Sequence, residues 1–152
     1  MPSIETKNFG CIQYEPQGVV EFPCGLPGFE ERHRFLAIGL EHTKPLVFLQ
    51  SLEDPDLCFT TAPVLAVDPQ YRLTMSQEDK EVIGVSAGSE PTMGEEVLCL
   101  TVISLYETGP TANLMAPLVI HVRTLKGVQA VSQDPEYTHQ YVMGEPKEAV
   151  VC

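Results

Sequence analysis

The chain has 152 residues, 43% of them hydrophobic, and sets 9 Lys and Arg against 21 Asp and Glu for a formal net charge of -12. That length and apolar share suit one compact domain with one buried core. Cations scattered from Lys7 to Lys147 offer no basic face to phosphates, which excludes nucleic-acid binding and anionic lipid as first readings and leaves attraction to a basic protein.

The segment from Met1 to Lys7 has no cationic head followed by an apolar stretch, and no run approaches the ~18 apolar residues of a membrane helix, so a cytoplasmic protein is expected. Short segments rich in Val, Ile, Leu, Thr and Phe, bounded by Gly, Pro or Asp, predict strands near residues 4 to 14, 18 to 22, 33 to 40, 46 to 52, 57 to 62, 97 to 105, 118 to 124 and 128 to 133. Asp54-Pro55, Asp68-Pro69 and Asp134-Pro135 mark turns between them. Ser76 caps a predicted helix of about two turns, with Asp79 as its first-turn acid, Val82 and Ile83 as its apolar edge and Gly84 as its stop. So short a helix is expected to cover one end of a barrel. Small polar residues from Gly84 to Gly94 predict a flexible connection.

The run Val97 to Leu105 is apolar on both faces and reads as the most central strand. In Leu118 to Thr124, alternation assigns Leu118, Ile120 and Val122 to the buried face and His121 and Arg123 to the other. Lys126-Gly127 reads as a two-residue hairpin turn into Val128 to Val131. Val142 to Cys152 has no periodicity and reads as a loose tail, leaving residues 1 to 141 as the domain. The predicted fold is all-β, antiparallel and barrel-like, with one or two short helices.

The catalytic signals are weak. Five cysteines (Cys11, Cys24, Cys58, Cys99 and Cys152) form no C-x-x-C pair, and His33, His42, His121 and His139 show no ligand spacing; neither disulfides nor a metal site is expected. Gly84-Val85-Ser86-Ala87-Gly88 fits G-x-S-x-G, with His121 or His139 and Asp134 as nominal partners, but it follows a helix instead of leading from a strand into one. A flexible loop is the preferred reading, and a hydrolase the weaker alternative. The carboxylate clusters Glu30-Glu31, Glu53 to Asp56, Glu78 to Glu81 and Glu95-Glu96 lack EF-hand spacing and read as solvated or partner-facing charge. Gly25-Leu26-Pro27-Gly28 lacks the Lys and following helix of a phosphate loop. No cofactor is expected.

Composition singles out Phe22-Pro23-Cys24-Gly25-Leu26-Pro27-Gly28-Phe29-Glu30, a turn dense in Pro, Gly and large apolar groups. It reads either as a plug of a barrel end through Leu26 and Phe29 or as a protein-binding edge. With Ile4 to Gly10, Leu49 to Phe59 and Thr111 to Ile120, this segment resembles the flagellar assembly factor FliW family, in family order. Cys24 and His121 depart from the residues common there, and the tail from Val142 has no counterpart.

The resemblance implies a non-catalytic β-barrel-like domain that binds newly made flagellin in the cytoplasm and also binds the carbon storage regulator CsrA, a dimeric translational repressor of flagellin mRNA. It implies that the free protein antagonises CsrA away from the RNA-contacting surface and that accumulating flagellin releases it. Leu26, Phe29, Glu30, Asp54, Asp56, Asn113, Leu114 and Met115 are the protein-contacting candidates on that resemblance, and a monomer is expected when no partner is bound. A barrel holding a small molecule stays open as an alternative.

Overall fold

In the computed structural model, residues 2–86, 88–107 and 109–143 are described. The predicted first strand is two: β1 (Ser3–Thr6) and β2 (Gly10–Gln13) form a separate antiparallel hairpin. The break is local. The Thr6 hydroxyl donates to the Gly10 carbonyl and accepts the Phe9 amide, each at 2.9 Å, and Gly10 turns the chain at φ 68°. Phe9 then lies edge-on to Phe48 with centroids 5.5 Å apart, and the Lys7 amide reaches the Pro55 carbonyl.

The main sheet runs in the order β10 (Gly127–Gln129), β9 (Leu118–His121), β7 (Val97–Tyr106), β6 (Cys58–Pro63), β5 (Val47–Ser51), β4 (Arg34–Ile38), β3 (Val20–Glu21), with every neighbour antiparallel. Its two edges meet: Glu21 bridges Lys126 in parallel, and the Glu21 amide donates to the Leu125 carbonyl at 2.9 Å. This seam closes the sheet into the expected barrel. Val20, Phe22, Phe35, Leu49, Leu100, Leu118 and Ile120 come from all sides of the sheet and fill its interior. Phe22 and Phe35 meet edge to face at 5.6 Å.

The strand predicted to be central is so. β7 pairs with β6 on one edge; on the other it pairs with β9 through Val97–Leu100 and with β8 (Gly109–Ala112) through Ile103–Tyr106. β8 was not predicted; it opens on Gly109-Pro110, two residues that weaken a strand's pattern. Leu98, Leu100 and Val102 face the barrel interior, while Val97, Cys99 and Ile103 face a second core outside the wall. Burial pushes the Cys99 thiol pKa up to about 12, the mark of an inert packing group.

The outer core is roofed by α1 (Val64–Val67), α2 (Gln77–Ile83) and the segments around Tyr71 and Tyr137, whose rings stack at 4.3 Å. The capping signature of α2 holds as read: Ser76 Oγ accepts the Asp79 amide at 3.0 Å, and Gly84 ends the helix at φ 92°. Its place differs from expectation. Ile83 packs with Val97, Val119 and Val128, so the helix covers the barrel's side, not its end.

Two further readings are corrected. All four residues of β9 are buried, His121 included, while Val122 is 50% exposed, because both cores need this strand. Lys126-Gly127 is no two-residue turn: the His121 amide donates to the Lys126 carbonyl around a longer turn, and Leu125 takes φ 56°. Gly127 is required by packing, since a Cβ there would stand 2.6 Å from the Phe22 ring. Finally, Tyr141 and Val142 form β11 against β8, where the tail was expected to begin; residues 144–152 lie outside the described part.

Candidate protein-binding surface

The loop after β3 is built by its glycines. The Gly25 amide donates to the Phe22 carbonyl at 2.8 Å, and at φ 70° a Cβ there would meet the Glu30 carbonyl oxygen at 2.5 Å. Leu26 and Phe29 exchange backbone hydrogen bonds of 3.4 and 2.7 Å around Pro27-Gly28, with Gly28 at φ 85° as a type II turn needs. The tight turn separates its two apolar residues. Leu26 is 4% exposed in the barrel core, whereas Phe29 is 40% exposed and stands edge-on against Phe59 at 5.4 Å. Phe59 in turn leans on Phe35 at 6.0 Å, so a chain of aromatic rings leads from the core to the surface.

The β5–β6 loop is sewn to it. Ser51 Oγ accepts the amides of Glu53 and Asp54, and Asp54 Oδ1 accepts the amide of Asp56 at 3.1 Å. Buried Gln50 donates through Nε2 to the carbonyls of Ser51, Pro55 and Leu57. Glu53 reaches across and accepts the His33 amide at 2.6 Å and the Arg34 amide at 3.4 Å, with Arg34 Nε at 3.7 Å. Desolvation alone would raise the Glu53 pKa; the two amide donors and the Arg34 charge outweigh it and hold the carboxyl below its ordinary value. Arg32 Nε lies 3.8 Å from Asp54 Oδ2.

Phe29 and Glu30 lie on the first loop and Asp54 and Asp56 on the second, and Glu53 and the Arg32–Asp54 pair join the two loops. The two joined loops carry Glu30, Glu31, Glu53, Asp54 and Asp56 against Arg32 and Arg34, and Phe29 is the exposed aromatic of the first loop. An exposed aromatic on two joined, carboxylate-rich loops is chemistry for a basic protein surface with an apolar anchor point. Glu30 also helps to shape the turn, accepting the Gly28 amide at 3.1 Å.

Asn113, Leu114 and Met115 lie elsewhere, at the junction of β8 and β9. Asn113 Oδ1 accepts the amides of Met115 and Ala116, and Leu114, 1% exposed, takes the Tyr71 hydroxyl on its carbonyl at 2.7 Å. Leu26 and Leu114 thus offer no side chain to a partner; both are core. Sequence reasoning missed another exposed apolar strip, Leu105, Tyr106, Tyr141 and Val142, around β7 and β11. Leu105 and Tyr106 lie past Val102, the last β7 residue that pairs with β6.

Nothing in this geometry supports the G-x-S-x-G reading. Ser86 follows α2, Ala87 lies outside the described residues, and the bonding partners of His121 are the Arg123 and Thr124 amides. No group of three or more His, Cys, Asp or Glu suited to a metal ion occurs among the described residues, and no helix there is long and apolar enough to cross a membrane.

The family model described as FliW protein matches residues 3–143. The chain belongs to the FliW family of flagellar assembly factors. It is 30% identical over 142 residues to the flagellar assembly factor FliW of Syntrophomonas wolfei, covering 92% of this chain and 87% of that protein. It is 35% identical over 135 residues to the FliW of Caldanaerobacter subterraneus, covering 88% and 87%. A crystal structure of the flagellar assembly factor FliW superposes with a TM-score of 0.82 at 28% identity, over 96% of this chain and 99% of that one. The mostly antiparallel barrel with two short helices is thus the FliW fold.

Proposed function

We propose that this FliW-family protein is a cytoplasmic partner-switching factor that binds newly made flagellin and, alternately, CsrA, relieving repression of flagellin mRNA. It acts by binding alone. The observation that carries this reading is Phe29, held in the open on Phe59, on one of two carboxylate-rich loops sewn together by Glu53. An RNA-binding regulator must carry a basic face to meet phosphate, and a protein of net charge -12 attracts such a face. Flagellin arriving on the same protein would displace the regulator and close the feedback. The alternative of a ligand-holding barrel lacks support, because aromatic and aliphatic side chains fill the interior.

The test is binding to the cognate flagellin and CsrA, first separately and then in competition. Exchange of one for the other is the expected result; failure to bind either removes the reading. Phe29→Ala is expected to weaken binding at least fivefold, as loss of an interface aromatic does, roughly 1 kcal/mol or more, with the unfolding transition nearly unchanged. An unfolded variant would make Phe29 a core residue only.

A further inference from the structure

The turn after β9 builds a surface cleft that the loop surface does not use. It has a volume of about 380 Å³ and is lined by Thr92, Glu95, Glu96, His121, Val122 and Arg123. His121, 1% exposed, is its buried wall. Nδ1 of His121 accepts the amides of Arg123 at 3.1 Å and Thr124 at 3.4 Å, and these two donors assign the ring proton to Nε2. That Nε2–H is buried without a hydrogen-bond partner among the described residues. It faces Glu96 Oε2 at 3.6 Å, beyond hydrogen-bond reach by a few tenths of an ångström. The Glu96 backbone is fixed, its carbonyl accepting the Val122 amide at 3.0 Å, so only the side chain has to move.

We propose that this cleft receives one arginine or lysine side chain of a basic protein partner. The cation sits between Glu95 and Glu96 with its methylene stem along Val122. Glu96 then divides its oxygens, one to the cation and one to His121 Nε2–H, and the unmatched donor is satisfied. His121 is a positioning residue here. The surroundings favour a cation: residues 78 to 96 carry six carboxylates and one cation, Lys80, which Glu90 already neutralises at 2.8 Å. Arg123 opposes it from within the cleft and forms no ion pair among the described residues.

The cleft is distinct from the Phe29 surface. Because Glu21 and Lys126 pair in parallel, the loop after β3 and the turn before β10 leave opposite ends of the seam. The inference rests on the reading that a basic protein docks, and adds a second, separate contact to it.

A capped Gly-Arg-Gly peptide, titrated at millimolar concentration and followed by NMR, tests the cleft without any partner. Saturable shifts of the Val122 methyls and the His121 imidazole are expected, absent with the citrulline analogue, lost in Glu96→Gln and strengthened several-fold in Arg123→Gln. No shift, or an equal shift with citrulline, overturns the proposal. With CsrA, Glu95→Gln/Glu96→Gln is expected to lose about tenfold in affinity, as for a charged hydrogen bond, and unchanged affinity overturns the cleft as a docking site. If wild-type protein binds no CsrA, the switching reading falls and the peptide titration alone decides the cleft.

Discussion

The Glu53 carboxylate accepts two backbone amides from the neighbouring loop and faces the Arg34 guanidinium, so its ionised form is part of the folded state. Its folded pKa is lowered. The stability it supplies is therefore complete above the ordinary carboxylate range and is lost as pH falls through the lowered value. Glu53→Gln is expected to melt below wild type at neutral pH, with the gap closing in acid; thermal unfolding across that range checks it, and a pH-independent gap refutes the linkage. Gly127 shows a different kind of residue-level demand. A methyl there meets Phe22 at 2.6 Å and Ile120 at 3.1 Å, both inside the barrel. Gly127→Ala is expected to cost about 1–3 kcal/mol by overpacking. Gly18→Ala, with nothing within 4 Å of the added Cβ, serves as the silent control in urea unfolding.

At the level of elements, α2 depends on one hydroxyl at its start and one buried ammonium at its centre. Ser76→Ala removes the acceptor of the Asp79 amide and is expected to cost about 1 kcal/mol. Hydrogen exchange should quicken first in α2, while β7 keeps its protection, and Ser76→Asp should restore it. This helix was legible in the sequence because Ser76, Asp79 and Gly84 act within a few residues of one another. What escaped was set by distant partners. Gly127 looked like a turn glycine, yet Phe22, more than a hundred positions earlier, dictates it. His121 looked solvent-facing by alternation, yet its strand lies between two cores. The same limit governed the candidate site: Leu26 and Phe29 stand three positions apart in one apolar loop, and only closure of the barrel decides that Leu26 enters it while Phe29 stays outside. Asn113 to Met115 carried a motif whose bonds turned out to shape the β8–β9 junction.

For the molecule as a whole, the surplus of acids acts at longer range than any single contact. The loops that carry Phe29 and Asp54 and the stretch from Glu78 to Glu96 are both rich in acids, so a basic partner approaching either meets an attractive field. Such a field works before contact and is screened by salt, with a Debye length of roughly 10 Å at 0.1 M and roughly 3 Å at 1 M. Apolar contact at Phe29 works only after docking. The two should therefore separate kinetically in the proposed CsrA complex: added salt slows association with dissociation little changed, and Phe29→Ala speeds dissociation with association little changed. Stopped-flow or surface-binding kinetics over that salt range make the comparison. An association rate indifferent to salt would remove charge from recognition and leave the aromatic anchor to account for the affinity alone.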